Sequence, residues 1–306
     1  MTSLTKTCEL TGKKFTISEK EQQFCEMMNV PLPDICPEER IRRLMSERNA
    51  RTLYYRKCDL TGKQILSQHH ADSPFPVYEA SEWWGDKWDA TDYGVDFDFS
   101  RSFFEQFHEL KLKVPHMSVF VISGSNENSD FTNCTGYIKN CYLISEADYS
   151  EDCYFSNRIY HSKDCSDCSN VYSCELCYQC IDCEGGHQLF YSQNCKQCRD
   201  SYFLFDCQSC SDCIGCINQR QKKYMIFNVQ YTKEEYEKHK SAFKLGSRSG
   251  VLALQKMCEE FFVRSPHRAV YQENNDNCTG DHLYNSKNSE NCFDCKDLED
   301  CYNCVR

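Results

Sequence analysis

The stretch DCSDCSNVYSCELCYQCIDC, residues 164–183, places six cysteines within twenty positions. Every interval between neighbouring cysteines in this stretch is a multiple of three residues. An α-helix repeats every 3.6 residues and a β-strand every two, so neither element alone explains the spacing. Three roles are open for thiols at this density: disulfide bridges, metal ligands, or small residues that fill a narrow core.

The three-residue phase continues on both sides of this stretch. Read at every third residue from Ile138 to Cys216, the 27 positions hold 14 cysteines and five serines, and the rest are aliphatic residues, alanine or glycine. No charged residue or amide occurs among them. Asn or Asp often precedes these positions and suits corners, because its side chain bonds its own backbone and tolerates left-handed geometry. The pattern is typical of a repeat architecture that turns a corner every few residues.

The length of one repeat follows from the residues that would stack on each other. At a period of twelve, the column that begins at Tyr142 contains five aromatic residues in its seven positions, down to Ile214. At a period of eighteen, Tyr142 would align with Tyr160, Tyr178 and Lys196, which is a poorer column. We therefore predict a mainly-β fold, a cysteine-rich β-solenoid of about twelve residues per coil.

Serine occupies five of these 27 positions, although it cannot replace a thiolate ligand or a disulfide partner. The pattern therefore favours packing as the role of the cysteines. Metal binding stays open, since stacked C-x-x-C steps can bring several sulfurs within reach of zinc or Cu(I). Disulfide bridges would require export of the protein to an oxidising compartment. The candidate metal ligands of the two densest patches are Cys165, Cys168, Cys174, Cys177, Cys180, Cys183, Cys195, Cys198, Cys207, Cys210, Cys213 and Cys216.

Near the N-terminus the chain repeats itself at a spacing of fifty residues, with CELTGKKF from Cys8 and CDLTGKQI from Cys58. Each copy resembles a zinc knuckle in which threonine replaces the second cysteine, and Cys36 lies between the copies. A structural zinc site needs four ligands. Cys8, Cys36 and Cys58 are candidate zinc ligands, with Cys25, His69 or His70 as a fourth. The alternative is a knuckle that packs without metal.

The net charge and the absence of targeting features in the sequence limit the classes of partner and the cellular compartment that we expect. The net charge of −11 disfavours nucleic-acid binding, for which the basic patch 40–57 is the sole candidate, and that patch could instead dock on the acidic solenoid. No run of 18 apolar residues occurs, so we expect no membrane span. The start MTSLTKTCELTGKKF lacks the apolar stretch of a signal peptide, and the cysteine count of 25 is odd. We therefore expect a cytoplasmic protein with reduced thiols.

Five segments follow from these patterns. They are a zinc-knuckle-like α+β domain at 1–67, an aromatic-rich cap or linker at 68–130, the cysteine-rich β-solenoid at 131–220, a helical insert at 221–272, and the start of a second solenoid at 273–306. We predict helices from Pro37, after Ser102, from Thr232 and after Gly250, the second and third with capping boxes. Hexads, each made of two of these three-residue steps, resume from Leu283, and the last one stops at Cys304 without a cap, so we expect self-association through the solenoid end or a longer chain.

Several segments together resemble one family. They are CDLTGKQILS, PFPVYEASEWWGDKWDATDYGVDFDFSRSFFEQF, the cysteine hexads and QYTKEEYE. They are similar to cysteine-rich, zinc-ribbon-like proteins that are frequent in ultra-small candidate-phyla bacteria. The resemblance implies an organisation, including a second cysteine solenoid after the helical insert, but no activity. Many relatives carry two cysteines in each knuckle, where this chain has Thr11 and Glu39.

The sequence contains no nucleophile–base pair, phosphate-binding loop or H-E-x-x-H motif, so we expect no enzymatic activity. The first hypothesis is a structural or interaction scaffold with a protein partner, and zinc is the one cofactor that the sequence suggests. A thiolate store or buffer for zinc or Cu(I) is the alternative. A redox or Fe–S protein is a second alternative, although Fe–S cysteines usually cluster once.

Overall fold

The computed structural model describes residues 2–46 and 49–305 and divides into two compact units. One unit comprises Met1–Asn49 together with Pro266–Arg306, and the other comprises Ala50–Ser265. The described residues form 19 strands, most of them paired in parallel, and six α-helices. The chain is thus mixed α/β, and the predicted mainly-β character is confirmed only in part. The division into five segments stays a prediction.

The helices are α1 (Glu19–Met27), α2 (Pro37–Ser46), α3 (Ala80–Trp83), α4 (Phe103–Lys113), α5 (Lys233–Ala242) and α6 (Arg248–Phe262), with a 3-10 helix at Ala90–Tyr93. The first strands are β1 (Leu4–Thr7), β2 (Lys14–Ile17), β3 (Tyr54–Lys57), β4 (Gln64–Ser67), β5 (Val77–Tyr78) and β6 (His116–Met117). The next are β7 (Asn133–Gly136), β8 (Tyr142–Asp148), β9 (Tyr154–Tyr160), β10 (Ser169–Tyr172), β11 (Ile181–Glu184), β12 (His187–Phe190), β13 (Arg199–Tyr202), β14 (Ser211–Ile214), β15 (Lys223–Ile226) and β16 (Val229–Gln230). The last are β17 (Gln272–Glu273), β18 (Gly280–Tyr284) and β19 (Cys292–Lys296).

The predicted helix starts are confirmed to different degrees. Helix α2 begins at Pro37, and α5 begins after Thr232, which forms the expected capping box with Glu235. The capping box predicted at Ser102 is wrong, because Ser102 caps α4 without any hydrogen bond from its side chain. Helix α6 begins before Gly250, since the side chain of Ser247 already accepts the N–H of Gly250 in its first turn.

The unit Ala50–Ser265 is dominated by parallel pairing at an offset of twelve residues. Tyr142 pairs with Tyr154, and Ser211 pairs with Lys223. Bridges between the strands keep the same offset, and the series runs from Glu127 to Ile226. We call residues 127–226 the parallel stack and each twelve residues of it a repeat. The period of twelve residues that aligned the tyrosines is therefore the register of the strands.

Corners of the parallel stack recur with unusual regularity. From Asn128 to Phe227, every third residue has a positive φ, and only Gly185 and Gly215 among them are glycines. A left-handed conformation costs a residue with a Cβ about 1–2 kcal/mol, so a run of such corners needs compensation. Backbone hydrogen bonds with the neighbouring repeats supply this compensation. At one corner Leu143 donates its N–H to the carbonyl of Asp130 in the previous repeat, at 3.2 Å.

The core of the parallel stack consists of the residues that directly follow these corners. Ile144, Ile159 and Leu189 are at most 1% exposed, and cysteines and serines fill most of the remaining inward positions. The hydrophobic members of this set, cysteines included, form one buried cluster. Because each repeat contributes four inward side chains within only twelve residues, the core is narrow, and large side chains are few in it.

The helical segment covers the last repeats of the stack. Strand β16 pairs antiparallel with β15 and ends the parallel series. Ile214 and Ile226 then pack with Tyr236 of α5 and with Leu254 and Cys258 of α6 in a second buried cluster. Gly215 permits this approach, because a Cβ there would lie 3.0 Å from the sulfur of Cys258.

In the other unit, β17–β19 form a short parallel sheet of the same kind. Gly280 pairs with Cys292 at the offset of twelve, whereas Gln272 pairs with Leu283, one residue short of it. Ser289 and Cys292 are fully buried. The three-residue phase that was predicted to resume near the C-terminus therefore resumes with the same strand pairing.

Candidate functional site

The predicted core ligands all lie inside the parallel stack. Each of the 14 cysteines between Cys141 and Cys216 is at most 3% exposed. Cys141, Cys153, Cys165 and Cys177 occupy the same position on consecutive repeats, because the residues beside them pair in register. The inward phase predicted from the sequence therefore describes where these side chains lie.

The core thiols donate hydrogen bonds to backbone carbonyls. The sulfur of Cys165 lies 3.2 Å from the carbonyl oxygen of Lys163 and 3.6 Å from that of Cys174. Cys153 and Cys168 repeat this pattern, with one acceptor two residues before the thiol and another nine residues after it. These carbonyl oxygens favour the neutral thiol, because a thiolate would face them without a proton to donate.

Serine hydroxyls at the same positions make the same bonds. Ser162 donates to the carbonyl of Tyr160 at 2.9 Å and accepts the N–H of Cys174 at 3.1 Å. Cys174 in turn lies 3.5 Å from the carbonyl of Tyr172 and accepts the N–H of Gly186 at 3.4 Å. Inward N–H groups point away from the strand pairing, and where serine or cysteine lies one repeat earlier its side chain accepts such an N–H, as Ser162 and Cys174 do. Cysteine and serine are equivalent in this role.

Thiol–thiol contacts join the core cysteines into one series. Cys153 contacts Cys141 and Cys165 on the neighbouring repeats, and Cys168 contacts Cys165 and Cys180. Further contacts continue to Cys216, so that all 14 core cysteines belong to this series. Burial raises the pKa of Cys195 well above its ordinary value, because a thiolate loses its hydration there.

The series does not form a closed ligand set. Within residues 2–46 and 49–305, no three His, Cys, Asp or Glu side chains converge in a way that would hold a metal ion. A metal would also have to replace protons that now bond to carbonyl oxygens, since only thiolates ligate zinc or copper. Zinc or Cu(I) in the core therefore stays a proposal.

The two N-terminal motifs fold into the same local structure, which we call the knuckle modules. In the first, Gly12 donates its N–H to the carbonyl of Cys8 at 2.8 Å and has a φ of 69°. In the second, Gly62 donates to Cys58 at 2.8 Å and has a φ of 73°. A positive φ at the turn explains why both copies carry glycine. The repeat seen at a spacing of fifty residues is therefore structural.

Each knuckle module places a second segment against its cysteine. The N–H of Cys36 points at the sulfur of Cys8, and the N–H of Glu79 points at that of Cys58, both at 3.3 Å. Cys36 directly precedes α2, and Glu79 directly precedes α3. Glu79 thus corresponds to Cys36. Sequence reasoning missed this match because the second module has no cysteine at that place.

Hydrogen bonds lower the pKa of both knuckle cysteines. The N–H of Cys36 and the side chain of Thr11 lower the pKa of the Cys8 thiol to about 6. Burial raises the pKa of Cys58, but hydrogen bonds from the Thr61 side chain and the N–H of Glu79 outweigh it, and the pKa falls below its ordinary value. Threonine therefore bonds to the sulfur at the place where a knuckle would carry its second cysteine.

The proposed zinc ligands are only partly brought together. Cys8 and Cys36 are neighbours in the unit that contains the N-terminus, whereas Cys58 lies in the other unit, packed with Ile65 and Val77. Cys25 lies in α1, where burial and the charge of a nearby glutamate raise its pKa.

The two candidate histidines have partners within the unit Ala50–Ser265. The ring of His69 contacts those of Phe75 and His116, with centroid distances of 5.1 and 5.6 Å. Burial, followed by the charge of His116, lowers the pKa of His69 to about 4. His70 packs edge-on against Tyr54, at 5.1 Å. A place for either histidine beside Cys58 as a zinc ligand stays a prediction.

The basic patch 40–57 is largely engaged within the chain. Arg40 forms an ion pair with Glu21 at 2.7 Å, and Arg56 forms one with Asp59 at 2.9 Å. Arg51 donates its Nε–H to the side-chain oxygen of Asn157 in the parallel stack, at 3.0 Å. Glu47 and Arg48 of the patch lie outside the described residues. These contacts give no support to nucleic-acid binding.

The surface of the parallel stack carries uniform columns of side chains. Tyr137, Tyr149 and His161 form one, with centroid distances of 4.8 and 5.0 Å and nearly parallel rings. Tyr137 and Tyr149 are 51% and 55% exposed. A second column alternates glutamate and lysine and ends in a histidine, and it consists of Glu127, Lys139, Glu151, Lys163, Glu175 and His187. Both columns follow from the offset of twelve residues.

No protein-family model matches this chain, and no curated protein is similar to it in sequence. Among the residues that the structure describes, no helix is both long and apolar enough to cross a bilayer.

Proposed function

We propose that this chain is a non-enzymatic structural scaffold built on a cysteine-lined β-solenoid that spans residues 131–220 and presents its surface columns to a protein partner. The parallel register of twelve residues and the left-handed corner at every third residue support the solenoid. A narrow core of small buried side chains and a surface with long columns are features of a spacer or docking rod.

The observation that carries the proposal is the equivalence of thiol and hydroxyl in the core. Ser162 and Cys174 each donate to the carbonyl two residues earlier and accept an N–H twelve residues later. A side chain that serine can replace is needed for its size and its hydrogen bonds. The cysteines are therefore explained as small side chains that fill a narrow core and hydrogen-bond within it.

The experiment is to remove metal and compare stability. The full chain is purified with a thiol reductant, treated with a chelator, and checked by elemental analysis to be metal-free. We expect unchanged circular dichroism, an unchanged melting temperature and strong amide protection through residues 138–216. Loss of this protection in the metal-free protein would refute a core that folds by packing alone.

The second candidate, a thiolate store or buffer for zinc or Cu(I), is favoured by the continuous series of 14 contacting thiols. Soft cations prefer such ligands. Zinc bound at the knuckle cysteines belongs to the scaffold proposal, as a structural ion, and is also compatible with a store. Titration of the reduced full chain with Cu(I), in competition with a chromophoric copper chelator, separates the two functions. A store takes up several equivalents, whereas a scaffold leaves the copper with the chelator.

A further inference from the structure

The surface of the parallel stack carries a cleft of about 520 Å³, which lies within the unit Ala50–Ser265. The cleft is lined by residues 50–53, which we call the crossing segment, and by residues from successive repeats of the stack. Its volume falls within the range of small-molecule sites, roughly 300–1,000 Å³. The scaffold proposed above makes no use of this cleft.

A column of polar side chains holds the crossing segment against the stack. Asn133, Ser145 and Asn157 follow one another at the offset of twelve residues, and each is at most 9% exposed. Asn133 donates its Nδ2–H to the carbonyl oxygen of Ala50 at 3.3 Å. Arg51 donates its Nε–H to the Oδ1 of Asn157 at 3.0 Å. These bonds fix the guanidinium of Arg51 at the cleft, although its side chain is exposed.

The amide of Asn157 has a donor without an acceptor. Its Oδ1 accepts from Arg51 and also from the hydroxyl of Ser145 at 2.7 Å, so these two donors fix which way the amide is turned. Among the described residues, the Nδ2 of Asn157 is one of two buried side-chain nitrogen or oxygen atoms without a hydrogen-bond partner. Buried donors nearly always have a partner in folded proteins. A donor left unsatisfied beside a cleft therefore indicates that a ligand completes the site.

One wall of the cleft is apolar and ends in a carboxylate. Phe131, Leu143 and Phe155 lie on consecutive repeats at the offset of twelve residues, and Asp167 follows them. Leu143 and Phe155 are 43% and 56% exposed, so this wall is open to a ligand. Arg51 is the one cation among the described residues that line the cleft. A ligand therefore meets an apolar surface, a single guanidinium, and a carboxylate that repels a second anion.

We propose that the cleft binds an aromatic monocarboxylate, with the carboxylate on Arg51 and the ring on the wall formed by Leu143 and Phe155. Arginine binds a carboxylate through two parallel hydrogen bonds, and Arg51 uses Nε to contact Asn157, which leaves its terminal amino groups for the ligand. A ring also packs favourably on the ring of Phe155. A second carboxylate on the ligand would meet Asp167, which disfavours dicarboxylates. The inference is independent of the proposed scaffold function, since strand pairing does not need the cleft to be filled.

The test is a titration of the full chain with phenylacetate, followed by NMR of 13C-labelled isoleucine and leucine methyl groups. We expect saturable shifts for the methyl groups of Leu143 and Ile181, which line the cleft, and none for Ile226, which packs in the cluster with α6. The uncharged analogue 2-phenylethanol should bind at least about tenfold more weakly, because hydrogen bonds to charged groups are the stronger ones. Absent shifts at Leu143 and Ile181, or equal affinity for the two compounds, would refute the proposal.

Variants separate the site from the net charge of the chain. Arg51→Gln should weaken the binding of phenylacetate at least about tenfold and leave that of 2-phenylethanol unchanged. Arg199→Gln removes an exposed arginine outside the cleft and should change neither. Asn157→Asp puts a carboxylate beside Arg51 and should abolish binding of phenylacetate, whereas Phe155→Ser should weaken both compounds.

Two outcomes with these variants would overturn the proposal. One is an equal loss of phenylacetate binding in Arg51→Gln and Arg199→Gln, which would mean attraction by net charge alone. The other is a loss of both compounds in Arg51→Gln, which would mean that Arg51 only holds the crossing segment. Strong amide protection through residues 138–216 without any binding would refute the cleft and leave the scaffold function intact.

Discussion

Ser162 and Cys174 occupy the same position on consecutive repeats of the parallel stack, and the hydroxyl of the first accepts the backbone N–H of the second at 3.1 Å. Cys174 does the same for Gly186, with its sulfur at 3.4 Å from the nitrogen. The N–H groups of inward residues are not used in strand pairing, so an inward serine or cysteine gives the residue one repeat later an acceptor that an aliphatic side chain lacks. Hydrogen bonding thus adds to volume as a constraint at the inward positions that carry serine or cysteine, whereas Ile144 and Leu189 contribute volume alone.

Substitutions at Cys174 should separate these two requirements. Cys174→Ser keeps a donor and an acceptor and should leave the exchange of the Gly186 amide nearly unchanged. Cys174→Ala leaves that N–H without a partner at a cost of about 1–3 kcal/mol, so the amide should exchange roughly tenfold faster or more. Hydrogen exchange measured by mass spectrometry on both variants checks this. Equal protection in the two variants would mean that only volume matters.

Gly215 and Gly185 allow a matched test of the docking of α6. Both have a positive φ, of 61° and 63°, at corners of the parallel stack. A Cβ on Gly215 would lie 2.7 Å from the ring of Phe227 and 3.0 Å from the sulfur of Cys258, whereas on Gly185 the nearest atom is 3.5 Å away. Gly215→Ala should therefore cost about 1–3 kcal/mol more than Gly185→Ala, by overpacking. Similar melting temperatures for the two variants would contradict the close packing of α6 against Gly215.

The column of alternating charge should add to stability in a salt-dependent way. The ammonium of Lys163 lies 3.3 Å from the carboxylate of Glu151, and the backbone of Lys163 pairs with that of Glu175 on the following repeat. Lys163→Glu would place three carboxylates in a row, so we expect a lower melting temperature than in Lys163→Arg, which keeps the charge. The difference should shrink as salt rises toward 1 M, because screening shortens the range of repulsion. A difference independent of salt would point to packing of the lysine stem instead.

Alkaline pH should destabilise the protein through its buried thiols. Burial raises the pKa of Cys258 to about 12. The unfolded chain loses this proton above the ordinary thiol pKa of about 8.5, whereas the folded chain keeps it. The free energy of unfolding is therefore fully retained below that pH and decreases as the pH rises toward the folded-state pKa, by at most about 1.4 kcal/mol per pH unit for each such thiol. Melting temperatures from pH 7 to pH 10 in reductant should fall less steeply for Cys258→Ala. The exposed substitution Leu252→Ala should keep the original slope, and the same slope in both variants would contradict the prediction.

Alkylation of the native protein should follow burial. Cysteines of the parallel stack should react only after denaturant is added, since each of the 14 is at most 3% exposed. The half-buried cysteines should react first under native conditions, and they are Cys134, Cys278, Cys295, Cys301 and Cys304. Pulsed labelling with N-ethylmaleimide and peptide mass spectrometry measures the order. Native labelling of Cys165 as fast as that of Cys304 would contradict this burial.

The three-residue phase gave the inward positions and the register of the parallel stack because both depend on local spacing. Each corner and each side chain that fills the core lies within three residues of the next, so the pattern is visible without knowledge of the fold. The column from Tyr142 to Ile214 fixed the offset of twelve, because paired strands place like residues on like.

Features that rest on distant contacts could not be predicted in this way. Asn and Asp pointed to corners, yet aromatic residues such as Tyr149 and Phe155 also adopt a positive φ, held there by pairing with neighbouring repeats. The match between Cys36 and Glu79 is carried by backbone geometry, and no shared residue type reveals it. The role of Gly215 depends on Cys258, more than forty residues further along the chain.

The left-handed corner at every third residue has a consequence for insertions and deletions. Removal of one whole repeat, such as residues 163–174, leaves every later residue on the face that it already occupied. Whole repeats can therefore be deleted or inserted without a change in which side chains face the core. Removal of three residues keeps small side chains inward but rotates every later column by a quarter turn. Removal of a single residue puts charged side chains into the core. Length is therefore adjustable only in steps of twelve residues, whereas each face can change its chemistry independently.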